Sequence, residues 1–219
     1  MHARVGNVPN ANHSHPTPGM DALAHTAVLA LGSNLGESET TLEQAAADLV
    51  HLSRGAVRLV GASGLYVTEP VGGPAGQPDY INAVLEVRTS LDPYALLALC
   101  QQVEAHHHRV RLVRWGPRTL DIDVITYGDL VSDDPVLTLP HPRAHERAFV
   151  LVPWEQANPQ AVIPSRDAAT GEQTRHLVAD LARRVRAADE QAGVNAVRFM
   201  RDMNLPKNLF DSGAESEGV

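Results

Sequence analysis

With Cys100 as its single cysteine, this chain of 219 residues cannot form an intrachain disulfide. A reducing cytoplasm is therefore the expected compartment. Long apolar runs are missing too: the best stretch, 22–35, is interrupted by His25, Gly32, Ser33 and Asn34 and falls short of the roughly 20 residues needed to cross a bilayer. The N-terminus has neither the basic start nor the apolar centre of a signal peptide, so neither a membrane partner nor export is expected. Positive charge is scarce, with 18 Lys and Arg against 26 Asp and Glu and a net charge of −8, which argues against nucleic acid as a partner. Any anion site must be a local cluster. The Gly32-Ser-Asn-Leu-Gly36 turn lacks the Gly-Lys-Ser/Thr ending of a Walker loop, and no repeat of solenoid length is present. What the chain does have is 43% hydrophobic residues, enough for one substantial core and one main domain.

Residues 1–25 are rich in Pro, Asn, His and Gly and read as a disordered leader, whose His2, His13, His15 and His25 have no cysteine or carboxylate at ligand spacing. Order is expected from an apolar strand at 26–31. Leu42, Ala45, Ala46, Leu49 and Leu52 then recur at helical spacing over 38–53, and 56–66 reads as the next strand. The segment 68–78 holds too much Gly and Pro for regular structure, and 82–88 alternates as a strand. Asp92 and Pro93 cap a second helix whose stripe is Leu96, Leu97, Cys100 and Val103, before a strongly alternating strand at 119–127. The resulting order is β-α-β-β-α-β, an α+β, ferredoxin-like core with both helices on one face. Further C-terminal elements follow it: extended chain at 137–142, short helical pieces at 146–156 and an amphipathic helix at 174–188. The domain is expected to span 26–192, with 193–219 an acidic, disordered tail.

The sharpest chemical feature is Asp121-Ile122-Asp123 inside an apolar strand. Residues two apart on a strand share a face about 6 to 7 Å apart, so Leu120, Ile122 and Val124 can enter the core while both carboxylates face the other way. Two facing negative charges need a positive partner, either a hard cation such as Mg²⁺ or nearby arginines. Arg109, Arg111, Arg114 and Arg118 lie just upstream in an otherwise acidic protein, interrupted by Trp115, Gly116 and Pro117. Guanidinium groups with Mg²⁺ form the charge clamp of phosphoryl transfer, whereas an ordinary solvated face would account for the same run. Tyr80, Trp115 and Phe149 sit beside loops, where they can stack on a heterocycle or plug the core, and Asn82 can offer paired donor and acceptor atoms to a ring edge. Three successive residues on a helix point about 100° apart, so His106, His107 and His108 read as a polar helix end. His141, between two prolines, suits a phosphate contact or a structural hydrogen bond, and Glu104 reads by itself as a solvated acid.

Four strings, GSNLG at 32–36, QPDYIN at 77–82, RWGPRTLDID at 114–123 and PHPR at 140–143, together resemble the 6-hydroxymethyl-7,8-dihydropterin pyrophosphokinase family of folate synthesis, over residues 26–185. The resemblance implies transfer of the β,γ-pyrophosphoryl group of ATP to the pterin hydroxymethyl oxygen, releasing AMP, with two Mg²⁺ ions. It implies Asp121 and Asp123 as metal ligands. Thr68, Val71, Tyr80, Asn82 and Phe149 match the pterin pocket. Gln101, Glu104, Arg111, Arg114, Trp115, Arg118, His141 and Arg147 match positions around ATP, and Arg109 and Arg118 match the residues assisting catalysis. His108 departs from the family pattern, standing where glycine is usual. A monomer acting on small molecules, with no second folate-pathway domain, is expected. The competing readings are another Mg²⁺-dependent phosphoryl or nucleotidyl transferase and a noncatalytic ligand-binding module on the same fold.

Overall fold

The computed structural model describes residues 23–70, 74, 76–108, 117–167, 169–193 and 197–210. Its core follows the expected order: β1 (His25–Ser33), α1 (Ser38–Leu52), β2 (Val57–Ala62), β3 (Leu65–Thr68), β4 (Tyr80–Thr89), α2 (Pro93–His106) and β5 (Asp121–Tyr127). The strands form one antiparallel sheet in which β3, β4, β1 and β5 are successive neighbours and β2 also pairs with β4. Local signals explain the helix starts. Asp92 accepts hydrogen bonds from the Tyr94 and Ala95 amides at 2.9 Å, and Pro93 occupies the first helical position, where a missing N–H costs nothing.

Strict alternation along the strands divides the sheet into two faces. Leu29, Leu31, Leu85, Val87, Ile122 and Val124 pack under α1 and α2, so both helices do share one face. Val28, Tyr66, Val84 and Ile125 point the other way, against α3 (Ala148–Ala157) and α4 (Val178–Gln191). One short hairpin, β6 (Ser132–Asp133) with β7 (Thr138–Leu139), precedes α3, and another, β8 (Val162–Arg166) with β9 (Gln173–Leu177), lies between α3 and α4.

Five expectations are corrected. The strand foreseen at 56–66 is two strands, because the buried Ser63 hydroxyl accepts from the Val84 amide at 2.9 Å and donates to the Gly64 carbonyl, breaking the ladder. The helical pieces at 146–156 are the end of a 3-10 turn at Glu146 and then a single α-helix from Ala148 that keeps Pro153 inside it, held by the buried Leu151 and Trp154. The amphipathic helix starts only at Val178, since 173–177 pairs with β8 instead. The largest correction is at the C-terminus: β10 (Arg198–Arg201) joins the sheet beside β3, and Leu209 is 1% exposed within the first core. Its acidic character hid two apolar anchors. At the other end, Leu23 is buried and its carbonyl accepts from Arg88, so order begins before residue 26. The leader proper, 1–22, and residues 211–219 lie outside the described residues.

Candidate active site

On the face opposite α1 and α2, cross-strand register lines up polar residues at one end of the sheet. Asn82 of β4 stands opposite Gly32 of β1, and Gly32 stands opposite Asp121 of β5; one rung along, Ala30 faces Val84 and Asp123. Directly opposed residues of antiparallel strands point the same way. Asn82 and the two acids therefore share a surface, with their strands about 10 Å apart across β1. Glycine keeps that surface open: a Cβ at Gly32 would lie 3.1 Å from Asn82 Oδ1 and 3.9 Å from Tyr80 Cδ1. Tyr80 precedes Asn82 by two residues on the same strand face, and the Asn82 amide donates to the Thr68 hydroxyl at 2.8 Å. Three of the five residues matched to the pterin pocket are thus brought together. Phe149, at the start of α3, lies beneath the Arg147 guanidinium, 5.3 Å from its ring centroid, and Val71 is outside the described residues.

Both acids already face positive or polar partners. Arg118 forms an ion pair with Asp121, while Arg147 Nη1 stands 3.7 Å and His141 Nε2 3.9 Å from Asp123 Oδ2. Burial, with Arg147 alongside, pushes the His141 imidazole down to about 4, so the ring is neutral at pH 7. Its Nδ1 accepts from the Arg143 amide at 3.2 Å, which assigns the proton to Nε2, on the side of Asp123. Glu104 is not the solvated acid that its sequence context suggests. It is 5% exposed and accepts from the Ile122 amide at 2.8 Å, bracing β5 between the two aspartates. Gln101, one turn earlier on α2, is exposed. Arg109, Arg111, Arg114 and Trp115 lie outside the described residues. His107 Nε2 donates to the Asp48 carboxylate at 2.9 Å, in keeping with a polar helix end.

Asn34 was not singled out by its sequence context, although it is buried. Its side chain accepts from the Arg118 amide at 2.8 Å and donates to the Pro78 carbonyl at 3.2 Å, joining the segments that precede β5 and β4. The signals for it were its place straight after an apolar strand and within the GSNLG string. An open pocket of about 410 Å³ lies beside it, but Glu37, Glu39 and Asp79 in its wall make it hostile to a triphosphate, and Arg201 there is already paired with Glu39.

The model of the 7,8-dihydro-6-hydroxymethylpterin-pyrophosphokinase (HPPK) family matches residues 28–159, which run from within β1 through α3 and include every site residue named above. The chain belongs to this family. A 2-amino-4-hydroxy-6-hydroxymethyldihydropteridine pyrophosphokinase of Haemophilus influenzae is 42% identical over 145 residues, 66% of this chain and 89% of that protein. The Bacillus subtilis protein of the same name is also 42% identical, over 67% of this chain and 86% of its own length. A folic acid synthesis protein of Schizosaccharomyces pombe is 32% identical over 86% of the chain, which spans only 25% of that longer protein. Among solved structures, wild-type Plasmodium falciparum HPPK-DHPS with pteroate superposes with a TM-score of 0.55 at 14% identity. It covers 78% of this chain, which spans 44% of that one, and it supports the ferredoxin-like fold.

Proposed function

We propose that ATP and 6-hydroxymethyl-7,8-dihydropterin meet on the open end of the sheet between β4 and β5. Family membership makes the chain a pyrophosphokinase of folate biosynthesis, transferring pyrophosphate from ATP to hydroxymethyldihydropterin. In this reading Asn82, Thr68, Tyr80 and Phe149, with Val71, hold the pterin. Gln101, Glu104, Arg118, His141 and Arg147, with Arg111, Arg114 and Trp115, surround the nucleotide. Arg109 and Arg118 assist the transfer. The observation that carries the reading is the register that sets Asn82 and Asp121 on either side of Gly32.

The donor set at Asp121 and Asp123 fits Mg²⁺: two carboxylates with hard oxygen donors on one face of the sheet. Magnesium bound by one or two carboxylates completes its shell with water and phosphate oxygens, and two such ions between protein and triphosphate are part of the proposal. Bound there, Mg²⁺ neutralises the triphosphate. The chain's own residues do the rest. Glu104 holds β5 so that both carboxylates keep their direction. Arg147 and Arg118 offer guanidinium groups to phosphate oxygens as charge spreads in the transition state, and the neutral His141 offers an Nε2–H. The pterin contacts hold the hydroxymethyl oxygen in line with the β-phosphorus, so that it bonds to phosphorus as the bond to AMP breaks and its proton passes to solvent.

Incubation with ATP, Mg²⁺ and hydroxymethyldihydropterin tests this. AMP and the pterin diphosphate are expected in equal amounts; ADP instead of AMP would sink it. A monomer working in the cytoplasm is part of the same proposal. No described helix is long and apolar enough to cross a membrane.

A further inference from the structure

The family match ends at residue 159, yet the chain continues into a segment that returns to the sheet. β10 pairs antiparallel with β3, with Phe199 opposite Tyr66; Tyr66 is in turn opposite Asn82. A single rung thus crosses the whole sheet: Phe199, Tyr66, Asn82, Gly32 and Asp121. The Phe199 ring meets Tyr66 edge-on with centroids 5.5 Å apart, and Tyr66 is 6% exposed although β3 would be an edge strand without β10. On β3, Tyr66 stands opposite Asn82 and Thr68 opposite Tyr80, and the Asn82 amide donates diagonally to the Thr68 hydroxyl.

Several contacts seat this segment. Arg201 reaches Glu39 and Glu43 of α1 at 2.8 and 2.7 Å, Arg198 stands 3.6 Å from Asp79, next to Tyr80, and Leu209 is buried in the core. Gly64 is shaped to receive it: a Cβ there would lie 2.6 Å from Phe199 Cε2 and 2.7 Å from the Arg201 carbonyl.

We propose that Phe199 is a positioning residue for pterin binding, acting through Tyr66 on the Asn82–Thr68 pair. This rests on the assignment of Asn82 and Thr68 to the pterin pocket. Removing the ring takes away the β10 side of the packing around Tyr66, which keeps its hydroxyl bond to Gln156 and its place in the second core, and lets β3 shift relative to β4, which loosens the pterin side of the rung first. The acids of β5 lie three strands from Tyr66 and are braced separately by Glu104.

The test uses the full-length chain with Phe199→Ala, Phe199→Tyr and Gly64→Ala, reading KM for each substrate and the Kd for the pterin in the presence of a nonhydrolysable ATP analogue. An aromatic pair of this kind is worth about a two- to twelvefold change in an equilibrium constant. Phe199→Ala and Gly64→Ala should therefore weaken pterin binding by about three- to tenfold, leave KM for ATP unchanged, and Phe199→Tyr should restore the parent value. The half-exposed Phe199 can be removed without opening the core, so failure of Gly64→Ala to fold leaves the Phe199 variants to decide. Unchanged pterin binding in Phe199→Ala, or parallel changes for both substrates, would overturn the inference while the site reading stands. A parent enzyme that does not bind the pterin would overturn both.

Discussion

The two faces of the central sheet come from the same strands, residue by residue in alternation, and they end up with opposite duties. Under α1 and α2 the face is apolar from β2 across to β5, with Leu59, Leu85, Leu29 and Ile122 all buried. On the other face the apolar part stops where α3 begins. Val84 and Ile125 are covered by a core that includes Trp154, whereas Gly32, Asn82, Asp121 and Asp123 lie past that cover. A sheet face closed by helices stabilises the fold, and the remainder, where Asp121 and Asp123 stay partly exposed, is where ligands can reach polar groups and repay their lost hydration with new hydrogen bonds.

Substitutions should separate these duties. The largest effect is expected on the open face. Asp123→Asn or Asp121→Asn should lower kcat by at least about a thousandfold, on the order of 4 kcal/mol in the barrier, with the thermal midpoint kept near that of the parent because two facing acids repel. Near-normal turnover in either variant would break the comparison. On the closed face, Leu85→Ala should cost about 2–5 kcal/mol of stability in urea titrations, and turnover per folded molecule should not change. A variant that lost activity without losing stability would show that the faces are not separable.

Gly32→Ala sharpens the contrast within β1, where alternate residues serve opposite faces. Its methyl group would crowd Asn82 Oδ1, at about 1–3 kcal/mol for overpacking, read as weaker pterin binding in calorimetry. The smallest effect lies off both faces, at the end of α2. His108 has φ +57°, the left-handed conformation that glycine adopts without strain. His108→Gly should raise stability by up to about 1 kcal/mol, and a fall in the thermal midpoint would contradict the strain. The departure from the family's glycine thus sits in a backbone geometry that glycine suits.

Much of the site was legible because its signals are local. The Asp121-x-Asp123 spacing puts both acids on one face of any strand, and Leu120, Ile122 and Val124 show which face is the core. The second helix was readable from Asp92 and Pro93 alone. What escaped depended on partners far along the chain. Glu104 passes for a surface acid until β5 supplies the Ile122 amide, and Asn34 is an ordinary turn residue until Arg118 and Pro78 reach it. The C-terminal segment escaped for the same reason. Its short strand is exposed, and its hold on the sheet comes from Glu39, Glu43 and Tyr66, which lie more than a hundred residues earlier.

Alternation, helical spacing, capping and the family strings were enough to specify the β-α-β-β-α-β order, the placing of both acids on one strand face and the family, because each is a property of a few neighbouring residues. Which strands lie side by side, where α3 stops covering the sheet, and how Phe199 comes into line with Asp121 depend on contacts between distant segments. Those contacts are set by the packing of the two cores as a whole, and no short stretch of the chain contains that information.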